Sequence, residues 1–146
     1  MTRTQRLQPV QGVVANAERR LAQSLAAFER LVIEAETKQR ELERYRGEYE
    51  RQFTQRAGAG IGVTELRDYQ AFLARLTDAI RQQQAVVHRV RSDRDAERTR
   101  WQDAAKRAKA LDHVVTQWQA EERRSIEQRE QRATDEFAQR SRKSDI

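Results

Sequence analysis

The stretch Arg56-Ala57-Gly58-Ala59-Gly60-Ile61-Gly62-Val63-Thr64 decides the fold. It holds three of the five glycines of the chain. Glycine adopts positive φ at little steric cost, so this is where the backbone reverses most easily. On either side the sequence is long, charged and periodic, which predicts two helices folded back on one another about this turn.

Upstream, one heptad position reads Leu7, Val14, Leu21, Phe28, Ala35, Leu42, Tyr49. A second, three residues later, reads Val10, Ala17, Ser24, Leu31, Lys38, Tyr45, Gln52, and Leu25, Val32 and Phe53 widen the stripe on one side. Two positions repeating every seven residues form a coiled-coil seam. Pro9, the one proline, suits a first helical turn, whose amides lack intrahelical partners. Downstream, Thr64 is the expected N-cap. The second seam combines Tyr69, Leu76, Gln83, Val90, Glu97, Ala104, Leu111, Trp118 with Leu66, Leu73, Ile80, Val87, Arg94, Trp101, Ala108, Val115.

Composition agrees with a fold that lacks a multilayer core. Apolar residues make up 37% and charged residues 36%, against about 45–50% and about 25% in ordinary globular domains. The expected class is all-α: an elongated two-helix antiparallel coiled coil whose second helix is the longer. As a single domain over 1–146, it divides into a helix at about 7–56, a turn at about 57–63, a helix at about 64–138 and a flexible C-terminal tail.

Antiparallel pairing places Tyr49 opposite Leu73, Leu42 opposite Ile80, Ala35 opposite Val87 and Val10 opposite Leu111. The polar interruptions coincide: Lys38 falls opposite Gln83, and Ser24 opposite Glu97. Facing polar residues can share a hydrogen bond and fix register, whereas one facing an apolar layer is left unsatisfied. The first helix runs out near Val115, so the remainder of the second is unopposed. Trp118, Ile126 and Phe137 lie on that overhang, and an isolated helix is marginal in water. Large apolar side chains there point to a partner.

The formal net charge is +6. Residues 75–110 hold ten Lys/Arg against five Asp/Glu, and residues 119–146 hold seven of each. Such interleaving describes a solvated helix face better than a phosphate-binding stripe. No cysteine is present, and no apolar run resembles a signal peptide or a membrane span; a soluble cytoplasmic protein is expected. His88 and His113 are too far apart for a metal-ligand spacing. The glycine cluster lacks the Lys-Ser/Thr of a phosphate loop and follows a helix rather than a strand. The carboxylates are spread along solvated faces. No enzyme, cofactor or metal is expected.

Aromatic side chains crowd the turn. Tyr45, Tyr49, Phe53, Tyr69 and Phe72 fall within about three helical turns of it, although aromatics are only 6% of the chain. Two helices have no third layer to cover so many rings, and Tyr and Phe are enriched in interface cores.

The segments Glu48-Tyr49, Gly58-Ala59-Gly60-Ile61, Tyr69-Gln70-Ala71-Phe72-Leu73-Ala74-Arg75-Leu76-Thr77-Asp78-Ala79-Ile80 and Asp135-Glu136-Phe137-Ala138-Gln139-Arg140 resemble the flagellar export protein FliJ family. The likeness spans essentially the whole chain. Heptads match heptads readily, so the aromatic-glycine hairpin and the terminal segment carry the specificity. The resemblance implies a soluble stalk of the flagellar type III export apparatus, peripheral to the membrane. It would promote assembly of the hexameric export ATPase ring, FliI, link that ring to the export gate protein FlhA, and handle export chaperones. The gate-docking face of the family carries over to Leu42, Tyr45, Tyr49, Phe72, Leu76 and Ala79, while Lys38 and Gln83 on the same face depart from the family pattern. Trp118, Ile126 and Phe137 are the expected contacts to the ring. The alternatives are the equivalent stalk of a virulence injectisome and a basic coiled-coil protein that binds nucleic acid or serves as a general scaffold.

Overall fold

The computed structural model describes residues 1–145. Two helices account for nearly all of them: α1, Arg3–Gly58, and α2, Val63–Ser144. They pair antiparallel, as the matched seams require. Their contacts divide the chain into two compact units, Leu21–Trp101 and Met1–Arg20 with the segment from Gln102 onward.

Both helices begin earlier than their apolar periodicity, and α1 has a specific reason. The Thr2 hydroxyl accepts the Gln5 amide at 3.2 Å, and the Gln5 side-chain carbonyl accepts the Thr2 amide at 3.0 Å. This reciprocal capping box satisfies two amides and starts the helix at Arg3. Pro9 therefore lies inside α1 rather than in its first turn. It leaves the Gln5 carbonyl without its usual donor, but both residues are exposed and water can take that role. At the other end, α2 continues to Ser144 instead of stopping near 138.

The turn is short. α1 closes with the amides of Ala59 and Gly60 donating to the carbonyls of Arg56 and Ala57, at 3.1 and 3.2 Å. Gly60 has φ 93°, and the carbonyl of Gly62 accepts the amide of Leu66 at 3.1 Å to open α2. Gly62, not Thr64, occupies the cap position: the helix begins two residues earlier than the hydroxyl signal suggests. Gly60→Ala is expected to destabilise the hairpin by about 1–2 kcal/mol, because its φ is hostile to a Cβ. Gly58→Ala, at a helical position with open space around it, is expected to be neutral or slightly stabilising. Chemical denaturation of the pair checks the contrast.

In the Leu21–Trp101 unit the core comprises Val32, Ala35, Leu76, Ile80 and Val87. The α2 face is the one its heptads predict. The α1 face is rotated. Leu31 and Tyr45 are exposed and Lys38 lies in solvent, whereas Val32 is buried and Leu25 and Phe53 are half-buried. Leu25, Val32 and Phe53 are thus part of the seam rather than its margin. Their heptad position also contains Gln39 and Arg46, long side chains that can lie along a seam and keep their polar ends wet.

The polar layers are satisfied differently from the expectation. Gln83 donates to the backbone carbonyl of Ala35 at 2.9 Å, not to Lys38, whose long stem carries its ammonium into water. Buried Glu97 accepts from Arg100 on its own helix at 3.4 Å, not from Ser24. Ion pairs flank the seam, with Glu36 to Arg91 at 3.0 Å and Glu29 to Arg98 at 3.7 Å.

In the other unit, Ala104 and Val115 are buried, as is Thr4. Thr4 donates to Glu122 at 2.7 Å, and Gln11 to Asp112 at 3.2 Å. Arg3 pairs with Glu121. Val10 is exposed, for the same rotation of the α1 face applies here.

Candidate interaction surfaces

The first surface stands beside the turn. Tyr45, Tyr49 and Phe53 are spaced four residues apart and so line one stripe of α1; Tyr69, Phe72, Leu76 and Ala79 do the same on α2. The rings interlock. Tyr49 and Phe72 lie 4.5 Å apart between centroids, tilted by 51°. Tyr45 approaches Phe72 edge-on at 6.1 Å. Tyr49 stacks near Tyr69 at 5.3 Å, and Phe53 on Tyr69 at 3.5 Å with planes 7° apart. Contacts between aromatic rings add about 0.5–1.5 kcal/mol each beyond area burial, so the cluster presents a firm platform.

The six expected docking residues are not equivalent. Tyr45 is 50% exposed and Leu76 only 7%; Leu42, Tyr49, Phe72 and Ala79 are half-buried. Leu76 therefore belongs to the seam beneath the platform, and the ring of Tyr45 is its most accessible part. Lys38 is exposed and Gln83 buried, so the two residues expected to depart from the family pattern differ sharply in their access to a partner. The Tyr69 phenol is held above its ordinary range by partial desolvation, reinforced by the negative charge of Glu50 and by Tyr49.

The second surface is the unopposed part of α2. Pairing reaches Glu122, further than the periodicity indicates, because the capping box brings Arg3 and Thr4 into the helix. Trp118 is consequently half-buried, with the Arg3 guanidinium 4.5 Å from its ring centre. It belongs to the paired region and not to the overhang. Every described residue from Arg123 onward is exposed. Ile126 at 53% and Phe137 at 73% are the large apolar side chains among them. The capping signal Thr2-Arg3-Thr4-Gln5, legible in the sequence, is what locates the true edge.

Half of the Lys and Arg residues in the basic stretch of α2 are paired. Among its ten Lys/Arg, Arg81, Arg91, Arg94, Arg98 and Arg100 all contact carboxylates. That leaves little of a continuous phosphate track. His88 and His113 are both exposed.

The flagellar FliJ protein family model matches residues 3–143. The chain belongs to the FliJ family. The match takes in both helices, the glycine turn, the aromatic cluster and most of the overhang. Comparison with curated proteins and with solved structures finds no match. FliJ membership makes the chain a component of the flagellar export apparatus, in keeping with its two-helix coiled-coil fold. No helix among the described residues is long and apolar enough to cross a membrane.

Proposed function

We propose that this FliJ-family chain is a non-catalytic coupling component of flagellar type III export. It promotes assembly of the export ATPase ring FliI, connects that ring to the gate protein FlhA, and receives export chaperones. It works on the cytoplasmic side and meets the membrane through the gate protein. The observation that carries this reading is the half-exposed Tyr45 ring set edge-on to Phe72. A two-helix hairpin has no layer of its own to cover that cluster, and exposed aromatics on firm supports are the usual anchors of protein interfaces.

Within this proposal the gate touches Leu42, Tyr45, Tyr49, Phe72 and Ala79, while Leu76 supports them from the seam. The ATPase ring touches Ile126 and Phe137; Trp118 holds the end of the paired region through Arg3. Hydrolysis belongs to the ring. The chain would act by binding one ring state better than another, since a partner shifts an equilibrium only by its differential affinity.

The ring assignment is tested with I126S/F137S. Both side chains are exposed, so the melting temperature is expected to stay within about 2 °C of wild type. ATPase stimulation is expected to fall at least about tenfold at a fixed subsaturating concentration, since two interface anchors are removed. Undiminished stimulation would remove the overhang from the ring contact.

A further inference from the structure

The aromatic cluster has another side, which shares only Tyr49 with the proposed gate-docking face. Beside the turn lies a cleft of about 250 Å³. Its apolar walls are Tyr49, Phe53, Tyr69 and Ile61. Its charged rim is Glu65 and Asp68 with Arg56. Phe53 and Tyr69 are stacked face to face and nearly parallel, so each covers one face of the other and the wall is held in place, with the outer face of Phe53 left for a ligand.

Two carboxylates and one guanidinium line this opening, and neither Glu65 nor Asp68 forms an ion pair among the described residues. Glu50 adds to the negative field, as its influence on the Tyr69 phenol shows. Glu65, in the first turn of α2, also complements the helix dipole. That accounts for one carboxylate and leaves Asp68 unexplained.

We propose that this cleft receives an arginine side chain from a peptide segment of a partner protein. A guanidinium stacks on aromatic faces and forms forked hydrogen bonds to carboxylates, and it is more weakly hydrated than an ammonium. The cleft sets aromatic side chains and carboxylates side by side. Phe53, Ile61, Glu65, Asp68 and Tyr69 lie outside the proposed gate face, so the site stands whether or not that face meets the gate.

The test uses the full-length, isotope-labelled chain at physiological salt, titrated with acetyl-Gly-Arg-Gly-amide and with the same peptide carrying citrulline. The arginine peptide is expected to shift the amide signals of Phe53, Ile61, Glu65, Asp68 and Tyr69 saturably, and the citrulline peptide to leave them in place. The E65Q/D68N variant is expected to retain full helicity and to bind the arginine peptide at least about fivefold more weakly. Shifts spread over acidic residues elsewhere on α1 and α2, or affinity unchanged in the variant, would overturn the site. Displacement of the same signals by raising the protein concentration alone would place a second copy in the cleft, and would overturn the assignment to a partner protein.

Discussion

Replacing Tyr45, Tyr49 and Phe72 together with alanine is expected to weaken binding to the export gate protein by at least about 100-fold, while stimulation of the export ATPase changes less than about twofold. The size follows from the platform. Central aromatic anchors contribute about 2 kcal/mol or more each on truncation, and two such losses already exceed a hundredfold. Tyr49 and Phe72 also pack against each other at 4.5 Å, so part of the triple effect is loosening of the tip. Tyr45→Ala separates the two causes. Its ring is half exposed, so this single change should leave the melting temperature nearly untouched and still cost about tenfold in gate affinity. Calorimetric titration with the purified gate domain reads both. Equal loss of gate binding and ATPase stimulation would show that the two partners do not use separate surfaces.

The largest stability effect is expected in the seam. Ile80 is 3% exposed and is predicted to face Leu42. Ile80→Ala should destabilise the chain by about 2–3 kcal/mol, near the low end for such truncations because two helices can close on a gap that a multilayer core could not. Ile126→Ala, on the exposed overhang, should stay within about 0.5 kcal/mol. Urea denaturation followed by circular dichroism checks the pair. A cost of under 1 kcal/mol at Ile80 would mean that the seam does not hold the helices together.

Particular residues show how far the sequence carried this account. The α2 face was legible because Leu76, Ile80, Val87, Ala104 and Val115 recur at strict heptad spacing, and all are buried. The turn was legible because only glycine fits a φ of 93° comfortably. The rotation of α1 was harder to see. Its second seam position mixes Leu25, Val32 and Phe53 with Gln11, Gln39 and Arg46, and a binary pattern scores such a position as polar. Packing reverses that score, because three large apolar side chains outweigh polar ones whose ends reach water.

The start of α1 was missed for a related reason. Periodicity begins with Leu7, but the capping box at Thr2 and Gln5 has no apolar residue to announce it. This error carried into the site. It left Trp118 on the overhang, when Arg3 in fact sits over its ring. The aromatic platform was readable from spacing and from the absence of a third layer, but the burial of Leu76 within it was not. The partners themselves were never legible from composition or periodicity; they came from likeness to a family, and family membership now fixes the apparatus.

The most direct test of the coupling role is hydrolysis by the export ATPase, measured against increasing amounts of this chain at physiological salt, with ring formation followed by light scattering. The account predicts saturable stimulation that rises together with ring assembly. An unchanged rate and an unassembled ATPase, with the chain fully helical in the same buffer, would contradict it.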